Sequence, residues 1–373
     1  MRIVHIVPER PSATGSGAQL RAHALSRALS QIGDVETQVV AELFAAANTR
    51  QVRAPSFIEA EMPAAILDAI EKRARLAPGD IAIVEGIYLS AVAYRLVERG
   101  VRVILDAHNV ESDLLRQTDL ARHPILARLQ RRGRWRRAAE AERRLLRAVA
   151  SVWACSQADA DLLRHFASGA SPVCVIPNPV PDWCMLVQPI KRPDGIDAVF
   201  VGHLGYRPNI AAAMRLARGI FPALRAADAS ARLTLAGRAP AERLRRDMAR
   251  YPEVALVSDP MDLAPIYAAS TMTLMPLREG GGTRIKALEA MAVGLPVIAS
   301  TKAVEGLAVA PGRQFLLAES DGEFVEAALR LARAPDLRED LAAAARDFAF
   351  RHHGPRAIET AVAAALHEGK SDR

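Results

Sequence analysis

Residues 276–300 read PLREGGGTRIKALEAMAVGLPVIAS, a glycine turn that opens a helix, then a helix stop and a short apolar run. At about 100° per residue from Arg284, the helix sets Ile285, Leu288 and Ala292 on one stripe, with Glu289 about 40° from Ile285. The spacing predicts an inward carboxylate. A buried charge is costly unless paired or hydrogen-bonded, so Glu289 needs donors, either ligand hydroxyls or an internal ion pair. Gly280, Gly281 and Gly282 let backbone approach a ligand, and Thr283 is placed to cap the helix. The first free amides carry the positive end of the helix dipole, and Arg284 and Lys286 add charge there. Gly294 suits the left-handed position after the helix, Pro296 stops it, and 296–299 reads as a buried strand. The segment is thus an anion-binding frame with an inward carboxylate, built for a nucleotide or phosphate or else for packing alone.

Working outward, short β-rich apolar runs alternate with helical patterns, the mark of parallel sheets covered on both faces. Strands are expected at 3–7, 36–40, 81–84, 101–106, 151–154 and 173–176, and again at 198–201, 232–236, 254–256, 272–275 and 296–299. Between the first two, Leu20, Ala24, Leu25, Ala28, Leu29 and Ile32 form one helical face ended by Gly33. The loop at 12–17 before that helix holds Gly15, Ser16 and Gly17 and lies where a doubly wound sheet binds its ligand. It does not match GxGxxG, which argues against a dinucleotide. The proline-rich stretch at 177–196 reads as a linker between an N-terminal domain at 1–176 and a C-terminal domain at 197–350. The final helical segment at 351–373 follows Gly354 and Pro355 and is expected to pack back on the first domain.

At 373 residues the chain exceeds a usual single core, consistent with two domains. No apolar run reaches the 18 or so residues a membrane span needs, and MRIVHIVPER is too short in apolar length for a signal peptide, so a cytoplasmic protein is expected. Cys155, Cys174 and Cys184 form no CxxC spacing and suggest neither zinc nor a disulfide framework. The net charge of +7 calls for an anionic partner. Much of it lies at 122–147, where ten arginines outnumber Glu140 and Glu142. The part from Arg128 to Arg147, with Trp135, reads either as a basic amphipathic helix for an anionic membrane or as a solvated face. Nucleic acid is not expected, because aromatics are scarce and no recognition motif is present.

Seven segments in order, TGSGAQLRAHAL, DAHNVES, VWACSQADADLL, VIPNPV, FVGHLGYRPN, LTLAGR and the 276–300 stretch, resemble the bacterial group-1, family-four-like glycosyltransferases of the GT-B fold. The resemblance implies two Rossmann-like domains facing across a cleft and transfer of a sugar from a nucleoside diphosphate sugar. It implies that Glu289 binds the ribose hydroxyls while amides of the preceding turn hold the diphosphate. His108, in DAHN, matches a histidine facing the transferred sugar, although a structural histidine at a strand end is the alternative. The reacting centre implied is His108, Gly281 and Gly282. The donor site implied is Gly15, Ser16, Gly17, His203, Arg207, Gly282, Thr283, Arg284, Lys286 and Glu289.

The chain departs from the family pattern at two places. A sugar-binding glutamate expected eight residues before Glu289 is replaced by Gly281, with Glu279 nearby as a substitute sugar contact. The arginine and lysine expected after the first strand of the C-terminal domain are His203 and Pro208, so Arg207, Arg284 and Lys286 are expected to supply the missing charge. No metal and no cofactor are expected, since amides and cations can stabilise a leaving diphosphate by preorganised electrostatics. Asp159 and Asp161 form a DxD only on an expected helix. Retention at the anomeric carbon is implied, with a carbohydrate or lipid-linked acceptor at the inner face of a membrane. A sugar-nucleotide epimerase and a non-catalytic nucleotide-sugar-binding protein are the alternatives.

Overall fold

The computed structural model describes residues 2–47, 62–122, 125–188, 194–280 and 284–368. The chain divides into two compact units, Met1–Pro179 with Pro355–Arg373, and Val180–Gly354. In the first, six parallel strands, β1 (Ile3–Val7), β2 (Val35–Val39), β3 (Ile81–Glu85), β4 (Arg102–Ala107), β5 (Ser151–Ala154) and β6 (Val173–Val175), lie in the order β2-β1-β3-β4-β5-β6. In the second, β7 (Asp197–Val201), β8 (Arg232–Gly237), β9 (Val254–Ser258), β10 (Met272–Met275), β11 (Val297–Ala299) and β12 (Leu316–Leu317) lie in the order β12-β11-β10-β7-β8-β9.

Both orders reverse direction once. The first sheet grows from β1 to β2 on one side and resumes with β3 on the other; the second grows from β7 to β9 and resumes with β10 on the opposite side of β7. Loops leaving the carboxyl ends of the two strands at such a reversal diverge, and the gap between them is where open α/β sheets bind ligands.

Residue alternation divides the first unit's core in two. Ile3, Ile81, Ile83, Ile104 and Trp153 pack with Ala24, Leu25 and Leu29 of the Gly17–Ser30 helix and with Ile358, Val362 and Leu366 of the Pro355–Glu368 helix. Val4, Ile6, Ala82, Val84, Val103 and Leu105 pack on the other face against Ile66, Ile70, Val92 and Leu145. The C-terminal helix therefore closes one face of the first sheet. In the second unit a single core joins both faces of the sheet to the Ile285–Ala292 helix.

The strands expected from sequence are present with ends displaced by one or two residues, and two-residue β12 is an addition. Ile32 departs from expectation: its helix ends at Ser30 and Ile32 is 38% exposed. The 177–196 stretch contains a short helix, Asp182–Leu186. Trp135, on the Ile125–Ala148 helix, is half-buried against the core, so the outward face of its described part is formed by Arg134, Arg136, Arg137, Glu140, Arg144 and Arg147. The side chains expected at Arg128, Arg131 and Arg132 lie outside the described residues. Among the described residues the cysteines form no disulfide; Cys155 and Cys184 are buried and Cys174 is half-buried.

Candidate active site

The reversal point of the second sheet gathers the 276–300 motif and the loop after β7. Glu289 is buried on the Ile285–Ala292 helix, as its period requires, and the Tyr267 hydroxyl donates to its Oε2 at 3.3 Å. Burial pushes the Glu289 carboxyl up to about 7, against the opposing pull of Lys286, the Tyr267 hydroxyl and Arg238. Tyr267 is itself fully buried and stacks on Trp183 with ring centroids 5.8 Å apart.

One turn before Glu289, half-buried Lys286 donates from Nζ to Asn209 Oδ1 at 3.1 Å, and Asn209 Nδ2 donates to the His203 carbonyl at 2.9 Å. Burial and then neighbouring Arg284 pull the Lys286 ammonium down to about 8, with Glu289 opposing. The lysine passes over Gly202, where a Cβ would lie 2.7 Å from its Cε, so the glycine makes room for it. An ammonium from the helix thus arrives at the loop where the family pattern has its own cations.

Arg284 takes a different place from the one expected. Its guanidinium is 8% exposed and donates to the carbonyls of Lys302 at 3.0 Å and Gly280 at 2.7 Å, with Glu305 at 3.3 Å. Gly280 has φ of 122°, open to glycine and costly for other residues. Arg284 therefore braces Gly280 and the 302–305 segment against the start of the Ile285–Ala292 helix. It also occupies the position before the helix expected for Thr283 and caps without a side-chain bond. Gly281, Gly282 and Thr283 lie outside the described residues.

Arg207 and Glu279 come together, Nε to Oε1 at 3.4 Å, both partly exposed. His203 is exposed, and its carbonyl accepts from Tyr206 and Asn209. In the first unit, Ser16 caps the Gly17–Ser30 helix by accepting from Gln19 N, while Gln19 Oε1 accepts from Ser16 N at 2.8 Å. The described contacts of Ser16 thus serve the helix start, and the Gln19 side chain fills the space a Cβ at Gly15 would take.

At the reversal point of the first sheet a buried ion cluster forms from segments far apart in sequence. Arg21 clamps both carboxylate oxygens of Asp106 and donates through Nη1 to the Ile176 carbonyl and Asn178 Oδ1. His108 Nε2 stands 3.1 Å from Asp106 Oδ2 and 3.5 Å from Glu85 Oε2, and His5 Nε2 is 2.8 Å from Glu85 Oε1. Burial disfavours protonation of His108, but the Asp106 and Glu85 carboxylates outweigh it and push the imidazole up to about 9. Burial likewise opposes ionisation of Asp106, but Arg21 and His108 hold it well below the usual carboxylate range.

Among the described residues, Glu85, Asp106 and His108 bring three ligand-type atoms within 4.8 Å of one another. Because Asp106 gives both oxygens to Arg21 and Glu85 gives Oε1 to His5, the group is a compensated ion cluster rather than a coordination shell.

Sequence reasoning missed Arg21, Asp106, Asn178, Asn209 and Tyr267. The one available signal was charge out of place, an arginine beside the apolar stripe of the first helix and an aspartate closing an apolar strand.

The family described as Glycosyltransferase Family 4 matches residues 15–182, and the family described as Glycosyl transferases group 1 matches residues 195–334. Sucrose-phosphate synthase from Thermosynechococcus elongatus superposes with a TM-score of 0.71 at 18% identity over 99% of both chains. HepE from Anabaena, in complex with UDP and glucose, gives 0.66 at 14% identity over 98% of this chain and 99% of that one. A trehalose-6-phosphate structure from E. coli bound with UDP-2-fluoro glucose gives 0.66 at 14% identity over 100% of both. No protein of curated function matches the chain by sequence. The solved structures share its fold, and each of its two units carries a family match. From the inward glutamate, the two reversed sheets and these matches together, the chain belongs to the group-1 glycosyltransferases of the GT-B fold, enzymes that draw a sugar from a nucleotide-sugar donor.

Proposed function

We propose that the protein transfers a sugar from a uridine diphosphate sugar to a carbohydrate or lipid-linked acceptor, with retention at the anomeric carbon and without a metal or cofactor. The carrying observation is the pairing on one helix of buried Glu289 with Lys286, whose ammonium is brought to the loop after β7. In this reading Glu289 accepts from the ribose hydroxyls, and Lys286 meets the diphosphate together with amides of the 280–284 turn. As the bond to the sugar breaks, negative charge grows on the departing phosphate, where a fixed ammonium and amide dipoles stabilise it without reorganising. Arg284 holds the Gly280 carbonyl beside the helix start, Glu279 pairs with Arg207, and His108 faces the transferred sugar. The choice of uridine is supported by the UDP and UDP-sugar complexes of the structural neighbours.

No helix among the described residues is long and apolar enough to cross a membrane. The exposed arginines of the Ile125–Ala148 helix support a peripheral place at the inner, anionic face of a membrane, where a lipid-linked acceptor would be met.

The deciding experiment is a thermal-shift screen against UDP, GDP, ADP, TDP and their sugar conjugates, repeated with Glu289→Ala and with a chelator present. Stabilisation by UDP and a UDP-sugar that the variant loses and the chelator leaves unchanged is expected; no response to any nucleotide overturns the reading. Donor turnover in the absence of any acceptor, giving an epimeric sugar nucleotide, would replace it with the epimerase.

A further inference from the structure

The buried cluster in the first unit contains more negative than fixed positive charge. Glu85 and Asp106 are two carboxylates, 1% and 0% exposed, and Arg21 is one guanidinium. A buried uncompensated charge costs several kcal/mol, so the cluster requires one further proton, and two imidazoles stand ready to hold it. His5 touches Glu85 alone through Nε2, and its Nδ1 is 2.9 Å from Ser26 Oγ, a neutral group that serves either ring nitrogen. His108 has Nε2 against both carboxylates at 3.1 and 3.5 Å. Its N–H is not aimed squarely at either oxygen, so the contact is an ion pair shared by two anions rather than one hydrogen bond. The other charged or titratable neighbours do not offset this. Glu111 adds attraction, Arg21 is held on Asp106, and the Tyr88 hydroxyl and Cys155 thiol are pushed up by burial and stay neutral.

From this geometry we infer that Glu85 and Asp106 are positioning residues that lock the His108 ring with Nε2 inward and keep it an imidazolium, so that its Nδ1–H is a hydrogen-bond donor for the substrate. His108 Nδ1 has no partner among the described residues, and the side chain is 13% exposed. A single carboxylate behind Nε2 would suit a neutral ring whose Nδ1 lone pair takes a proton, as in a general base. Two carboxylates favour the charged ring, which has no lone pair to offer. The inference rests on the reading that His108 faces the transferred sugar; its charge state is testable without any substrate.

The test is long-range proton–nitrogen spectroscopy of the full chain labelled at its nine histidines, from pH 6 to 10, with His108→Gln and His5→Gln to assign the signals. Both His108 nitrogens should remain protonated through pH 8, and in Glu85→Gln the titration should move down by roughly one to three pH units. A neutral His108 at pH 7.5 in the wild type, with His5 charged instead, overturns the inference, and that result is available even if the Glu85 variant does not fold. In the working enzyme at saturating donor, kcat should fall as pH rises through about 9 in a step that His108→Gln removes and that is separate from the Lys286 titration at about 8. A rise through pH 6 to 7 that His108→Gln abolishes would show a base and overturn it. Failure of every nucleotide to bind, with His108 charged as expected, would remove the donor reading and leave the charge state standing.

Discussion

Lys286 Nζ and Asn209 Oδ1 are 3.1 Å apart, which ties the first turn of the Ile285–Ala292 helix to the first turn of the Arg207–Arg215 helix. The contact brings an ammonium to the loop after β7 from a different element than the family pattern uses. In Lys286→Met, UDP affinity is expected to fall roughly 10- to 150-fold, the value of a hydrogen bond to a charged group. Because the ammonium sits at about 8, wild-type affinity should decline as pH rises through that value, whereas the variant should show little slope there. Calorimetric titration with UDP from pH 6 to 9.5 checks both; unchanged affinity in the variant removes Lys286 from the donor site.

Glu289 gives a stability prediction with a defined sign. Its folded-state carboxyl titrates at about 7, above the ordinary value, so the folded state retains a proton that the unfolded chain releases from about pH 4.5 upward. The stability this supplies is complete below the unfolded value and is lost as pH rises through about 7. Glu289→Gln escapes the loss. The free variant should melt with the wild type at pH 4 and roughly 7–14 °C above it at pH 8, while its response to UDP disappears. Equal melting at both pH values, measured by calorimetry, would contradict the raised carboxyl.

Tyr267→Phe removes the hydroxyl that donates to Glu289 and keeps the stacked ring against Trp183. UDP binding should weaken roughly 2- to 12-fold with the circular dichroism spectrum preserved. Wild-type affinity in that variant would mean that the helix alone orients the carboxylate.

Arg21 tests the ion cluster as a structural element. Arg21→Met leaves Asp106 buried without its clamp and is expected to cost roughly 3–5 kcal/mol, whereas adding Asp106→Leu should return part of the loss. Urea denaturation of the two variants beside the wild type gives the comparison, and a double variant no more stable than the single one would place the cost elsewhere.

The exposed face of the Ile125–Ala148 helix predicts binding to vesicles containing phosphatidylglycerol and not to neutral ones. Replacing Arg134, Arg136, Arg137 and Arg147 by serine should remove roughly 1 kcal/mol of binding for each arginine that lies near the membrane surface. Cosedimentation that is equal for both proteins would leave this face as ordinary solvated surface.

The amino-acid sequence alone determined what depends on neighbours a few positions apart. Continuous apolar runs marked buried parallel strands, a period near 3.6 put Glu289 on the buried side of its helix, and Gly294, with φ of 66°, stood where a helix end needs a left-handed residue. What only the tertiary structure decided is pairing across long separations. Arg21 and Asp106 are 85 positions apart, Lys286 and Asn209 are 77, and no local pattern links either pair. The same physics gave Arg284 its role as a brace, because whether a cation beside a glycine turn meets a ligand or other groups of the protein depends on where Lys302 and Glu305 come to lie. Backbone periodicity is a local property of the chain, whereas the partner of a buried charge is fixed only when distant strands close into a sheet and exclude the water that would otherwise solvate it.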